Sequence, residues 1–150
     1  MIKVNLRVSS DSITSDLRRA LRSAQNAEPA LRAAASVVME SAKRAFRESE
    51  LRPTAWQQLA AKTIEAKKRA GKSTAMLIRD AHLIRTPRIV MSDKRRAIVG
   101  SNLFYARFHQ LGTARIPARP FWPFDASGRM TPRMKAVVTA TMRRKLAITK

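Results

Sequence analysis

The chain has no cysteine, two histidines and ten acidic residues among its 150. Without cysteine there are no disulfides, no thiolate metal ligands and no thiol nucleophile. The only imidazoles are His82 and His109. Asp80 lies two residues from His82, on a different helical face, so three converging N/O ligands for a catalytic metal are missing. Residues 51–150 hold only Glu65, Asp80, Asp93 and Asp125 as acids, and no close pair of them offers a general acid beside a general base. A Gly-x-Ser-x-Gly elbow is absent. Ala66-Lys67-Lys68-Arg69-Ala70-Gly71-Lys72-Ser73 ends like a phosphate-binding loop. However, Ala66 replaces the first glycine, and a charged helical segment precedes it where the motif needs a strand. These shortages point away from an enzyme and away from any cofactor.

Apolar runs are short as well. None approaches the ~20 residues of a membrane span, and the opening MIKVNLRVSS lacks the apolar region of a signal peptide. The expectation is a soluble protein made in a reducing cytoplasm, with no membrane partner. At 150 residues the chain suits one domain, 1–150, with a real core.

What is abundant is positive charge, a net +21. It is uneven: residues 1–50 carry 9 basic and 6 acidic side chains, 51–100 carry 12 and 3, and 101–150 carry 10 and 1. A small domain so charged repels itself unless a polyanion or an acidic partner is close. The candidate polyanion contacts are Lys67, Lys68, Arg69 and Lys72, then Lys94, Arg95 and Arg96, then Arg143, Arg144 and Lys145. Few aromatics interleave them, so any DNA contact would be with phosphate and not with base edges.

Hydrophobic periodicity supplies the elements. Ile2, Val4, Leu6 and Val8 alternate with polar residues and predict a strand over 2–8. Ile13, Leu17, Ala20, Leu21 and Ala24 recur at helical spacing. Pro29 suits the first turn of a long helix of ~20 residues, lined by Leu31, Ala35, Val38, Ala42 and Phe46 and ended by Leu51-Arg52-Pro53. Phe46 and Trp56 are core candidates. Residues 55–83 read as helical, with a break near Gly71-Lys72-Ser73. Arg88–Met91 and Arg96–Val99 flank the polar turn Ser92-Asp93-Lys94-Arg95 and predict a hairpin. Pro132 opens a last helix with a stripe of Met134, Val137, Val138 and Met142. The expected fold class is α+β: a small antiparallel sheet, made of the amino-terminal strand plus the hairpin, packed against several helices, one of them long.

The richest segment is 103–124, LFYARFHQLGTARIPARPFWPF. A short amphipathic helix with Leu103, Phe104, Phe108 and Leu111 stops at Gly112. A stiff strap follows with Pro117, Pro120 and Pro123. Arg115, Arg119, Phe121 and Trp122 are expected to stand exposed on that strap, a rigid surface suited to binding. Together with Tyr105 and His109 they are the candidates for a contact with another subunit or partner.

Tyr105-Ala106-Arg107-Phe108-His109-Gln110-Leu111-Gly112 and Pro117-Ala118-Arg119-Pro120-Phe121 resemble the paired motifs of the phage virion morphogenesis, or tail-completion, family. Trp56-Gln57-Gln58-Leu59 with Thr63 and Lys67, and Val99-Gly100-Ser101, fit the same family. So does Met76–Leu83, although Arg79-Asp80 stands where that family usually has a small residue and glycine. The resemblance covers residues 50–125. It implies a structural virion protein of the neck or head-proximal tail end, a homo-oligomeric ring that completes the tail and enables head–tail joining. It would touch a connector, tail tube or terminator, with DNA passing through. It would be found in the host cytoplasm during assembly and in the virion afterwards. Charge alone supports an alternative, a basic nucleic-acid-binding or DNA-packaging protein without sequence specificity.

Overall fold

The computed structural model describes Leu21, residues 26–125 and residues 127–146. The expected strand 2–8, and the helix before residue 26 apart from Leu21, lie outside the described residues. In order, the described elements are α1 (Glu28–Arg44), a 3-10 turn (Ser49–Leu51), α2 (Ala61–Arg69), α3 (His82–Arg85), β1 (Arg88–Ser92), β2 (Ala97–Gly100), α4 (Ala106–Leu111) and α5 (Pro132–Leu146). The architecture is α+β, with one long helix and a two-stranded antiparallel sheet packed on helices. No helix among the described residues is long and apolar enough to cross a membrane.

Helix α1 is the spine, because it packs against α5 and against both strands. Its buried positions are Ala30, Ala34, Ala35, Val38, Ser41 and Ala42. These recur at helical spacing and are small, so neighbouring elements approach closely. Pro29 lies in the first turn, Glu28 offsets the positive end of the helix dipole, and Lys43 and Arg44 offset the negative end. Arg52 finishes the helix: its Nε donates to the Ala45 carbonyl at 2.8 Å. The same guanidinium lies over the Trp56 ring, 4.0 Å from its centroid, and so joins the helix end to the core.

The hairpin forms where expected, shifted by one residue at the turn. Ser92 pairs with Ala97, which leaves Asp93–Arg96 as the connection. Asp93 Oδ1 accepts the amides of Arg95 and Arg96 at 2.8 and 2.9 Å, a local reason for the turn. The register slips between Ile89 and Met91, so Val90 is the extra residue of a bulge.

Between residues 55 and 83 the structure departs from the expected helices. Only α2 and the single turn α3 are helical. The start stays extended because Trp56 leaves the helical path to enter the core, 5% exposed. Further on, Leu77 and Ala81 adopt left-handed backbone at φ 58° and 57°, which no right-handed helix accommodates. Consecutive Met76, Leu77 and Ile78 pack on the core from this irregular run. Helix α5 spans the predicted residues 132–146. Its buried residues are Met134 and Thr141, while Val137 stays 42% exposed.

The main core is built from distant pieces: Ala42, Ala45 and Phe46 at the end of α1, Trp56, Leu83, Ala106 and Phe121. The Phe46 ring meets Trp56 edge-on at 6.0 Å and Phe121 at 5.1 Å, separations at which aromatic pairs add to plain burial.

Candidate functional site

Helix α4 and the strap form one clamped unit. Ala106 turns its small side chain to the core. The helix stops at Gly112, where φ is 77° and a Cβ would lie 2.9 Å from the Ala118 nitrogen. Both facts require glycine. Thr113 then tightens the turn, its hydroxyl accepting the Arg115 and Ile116 amides at 3.2 and 3.0 Å. The returning chain donates from the Arg119 nitrogen to the His109 carbonyl at 2.6 Å.

Gln110 holds the strap with both ends of its amide. Oε1 accepts the N–H groups of Phe121 and Trp122 at 3.0 Å each, and Nε2 donates to the Phe124 carbonyl at 3.3 Å. From the other side, Trp56 Nε1 donates to the Pro120 carbonyl at 2.9 Å, and Arg119 Nε donates to the Gln57 carbonyl at 3.1 Å. With no strand to pair with, the Pro120 carbonyl and the Phe121 and Trp122 N–H groups are satisfied by side chains instead.

The phage virion morphogenesis family matches residues 8–148 of this chain. The chain belongs to that family. Its role is therefore in phage virion assembly. No curated protein and no solved structure matches it. The paired motifs of the family have a structural meaning here. The glutamine and glycine of the first motif hold the backbone of the second, and the arginine of the second ties it back to Gln57.

The expected exposure of the strap needs correction. Phe121 is 0% exposed and Arg119 8%. Phe121 fills the space between Phe46 and Trp122, and the Arg119 side chain is spent on the Gln57 carbonyl. Trp122 and Tyr105 are half-buried and Arg115 is exposed. His109 is half-buried under the Tyr105 ring edge. Its Nδ1 has no hydrogen-bond partner, and burial, then the nearby Arg119 charge, holds its pKa below the ordinary value.

The sequence reading placed Phe104 and Leu111 on the apolar side of a helix. Instead they stand out, 76% and 62% exposed. Two shallow grooves of about 430 and 410 Å³ run beside Leu111 and Trp122. Phe108 lies under the Arg107 guanidinium, 4.8 Å from the ring centroid. The usable signal was Ala106: a small residue facing the core turns the flanking large ones outward.

The basic candidates divide. Lys67 is half-buried and donates to the Ala75 carbonyl at 2.6 Å, and burial, then Arg79, lowers its pKa. Lys72 pairs with Asp80 at 2.6 Å and Arg96 with Asp93 at 3.5 Å. Lys68, Arg69, Lys94, Arg95, Arg143, Arg144 and Lys145 are exposed and make no ion pair with another described residue. They sit at the end of α2, on the hairpin turn and at the end of α5. Among the described residues no three His, Asp or Glu side chains converge as metal ligands would. A groove of about 710 Å³ between α1, the Leu51–Pro53 segment and α5 mixes apolar side chains such as Val37, Leu51, Met134 and Val137 with the charged Glu40, Arg44, Glu50, Arg52 and Arg133.

Proposed function

We propose that the protein is a non-enzymatic structural component of the neck or head-proximal tail end. There it forms a homo-oligomeric ring that completes the tail and enables head–tail joining. The observation that supports this most is the rigid, partly apolar surface of α4 and its strap, clamped by Gln110, in a chain of a virion morphogenesis family. Preorganised surfaces of this kind lose little entropy on docking. Its neighbours would be a connector, tail tube or terminator. Tyr105, His109, Arg115 and Trp122 would lie at or near the contact. The excess charge would face acidic neighbours or the phosphates of DNA in the bore, so the ring would be stable mainly in their presence. Electron microscopy of particles from a phage unable to make this protein tests the reading. Separate heads and tails are expected, joined when the purified protein is added. Complete particles without it would sink the proposal.

The second reading, a packaging or nucleic-acid-binding protein without sequence specificity, is favoured by one observation. Seven of the ten candidate cations are exposed and make no ion pair with a described residue. It predicts salt-sensitive DNA retention by the free protein.

A further inference from the structure

We infer that the face formed by Phe104, Leu111 and Trp122, with Arg107 beside it, docks an acidic protein of the virion and not a second copy of this chain. The inference rests on the neck reading and names the chemistry of one partner.

Phe104 is 76% and Leu111 62% exposed, seven positions apart, on either side of Arg107. Both line the same groove as Trp122 and Arg107. Large apolar groups left in water beside an ordered ring mark interaction sites. The surface is rigid. Gln110 fixes the backbone at Trp122, and Phe104 and Phe108 meet edge-on at 6.2 Å. Arg107 is ordered by the Phe108 ring at 4.8 Å, and its donors remain available to a carboxylate fork. Aromatic anchors beside an arginine are the usual composition of binding hot spots.

Charge selects the occupant. The chain carries +21, so a face edged by Arg107 is matched better by an acidic surface than by a second, equally basic copy, whose seams in the ring would lie elsewhere. A second copy also has few carboxylates to offer. Glu40, Glu48, Asp80, Asp93 and Asp125 already face a lysine or arginine of their own chain. DNA fits poorly because exposed Phe104 and Leu111 gain nothing from phosphate. An acidic protein surface with apolar residues satisfies both halves of the face.

The test uses heads and unjoined tails purified from a phage stock that cannot make this protein. Full-length protein is added and infectious titre is read. Wild type is expected to restore titre. Phe104→Ser with Leu111→Ser, and separately Arg107→Glu, are expected to lower the rescue by about tenfold or more, the loss of ~1.4 kcal/mol or more of docking. Arg107→Lys should fall between. The altered residues are exposed, so melting temperature should match wild type. Wild-type rescue with fully active variants overturns this inference alone; wild type that rescues nothing overturns the neck reading and this inference with it. Loss in the double variant of a self-association that free wild type shows in sedimentation would make the face a copy–copy seam. Loss of DNA retention in the double variant would assign the face to nucleic acid. Either result overturns the inference.

Discussion

Gln110 accepts the backbone N–H of Phe121 at 3.0 Å, and the same oxygen accepts the N–H of Trp122. Pro120 and Pro123 flank these two donors and have no N–H of their own. Without Gln110 the part-buried amides would have no partner. An unsatisfied buried donor costs about 1–3 kcal/mol, so Gln110→Ala is expected to destabilise the protein by about 2–4 kcal/mol in urea unfolding. Gln110→Glu keeps the acceptor but sets a carboxylate against the Phe124 carbonyl, and should fall between. A Gln110→Ala protein as stable as wild type would mean that water replaces the clamp.

Phe121 and Trp122 should behave differently although they are neighbours. Phe121 is fully buried against Phe46, so Phe121→Ala is expected to cost ~3–5 kcal/mol, enough to unfold much of the population. Trp122 is half-buried, and Trp122→Ala should leave a folded chain with a lower midpoint. Thermal melts of the two single variants distinguish them. Equal losses would show that both rings are core.

That pair marks how far the sequence was readable. The α1 helix was legible because Leu31, Ala35, Val38, Ala42 and Phe46 repeat along the helix. The hairpin was legible because two period-two runs flank a turn that Asp93 organises. The family segment was legible as a motif, but which strap residue points inward was not. A proline-rich strap has no period, and the choice between Phe121 and Trp122 is made by Phe46, about 75 residues earlier in the chain. Residues 55–83 misled for a similar reason. Helical propensity there yields to the burial of Trp56 and to the left-handed turns at Leu77 and Ala81.

Ala81 sits at φ 57°, just after Arg79-Asp80. The left-handed conformation costs an L-residue about 1–2 kcal/mol, and glycine's extra chain entropy returns about 0.5–1 of it. Ala81→Gly is therefore expected to stabilise by about 0.5–1 kcal/mol. Gly112→Ala should do the reverse by about 2 kcal/mol or more, since the new methyl meets the Ala118 backbone as well as a positive φ. Denaturant midpoints decide both. A destabilised Ala81→Gly protein would mean that the alanine methyl packs usefully.

Stability should fall as pH drops below neutrality, and His109 is the reason. Burial holds its folded pKa below the ordinary 6.5. Under acidification the unfolded chain binds a proton first, so stability present above 6.5 declines as pH falls toward the folded value. The paired carboxylates act lower: Asp125, hydrogen-bonded by Ser127 and Arg129, is held at about 2, so its contribution disappears only in strong acid. Melting temperature between pH 7 and pH 5 should therefore decline in wild type and much less in His109→Gln. Parallel curves for the two proteins would remove His109 as the source.

The basic residues should separate into structural and electrostatic ones. Lys67 donates to the Ala75 carbonyl and is half-buried, so Lys67→Gln should loosen the irregular run after α2 and lower the melting temperature. Lys68 and Arg69 are exposed and make no ion pair with a described residue, so Lys68→Gln with Arg69→Gln should leave the melt unchanged. If they contact phosphate, each removed contact lowers the slope of log affinity against log salt by about 0.9 on duplex DNA. A filter-binding titration from low to moderate salt measures that slope. Retention by wild type with a slope about two units shallower in the double variant would place both residues on DNA. No retention by wild type even at low salt, where phosphate contacts are strongest, would remove DNA as the target. The seven exposed cations without an ion pair to a described residue would then answer to acidic protein in the assembled particle.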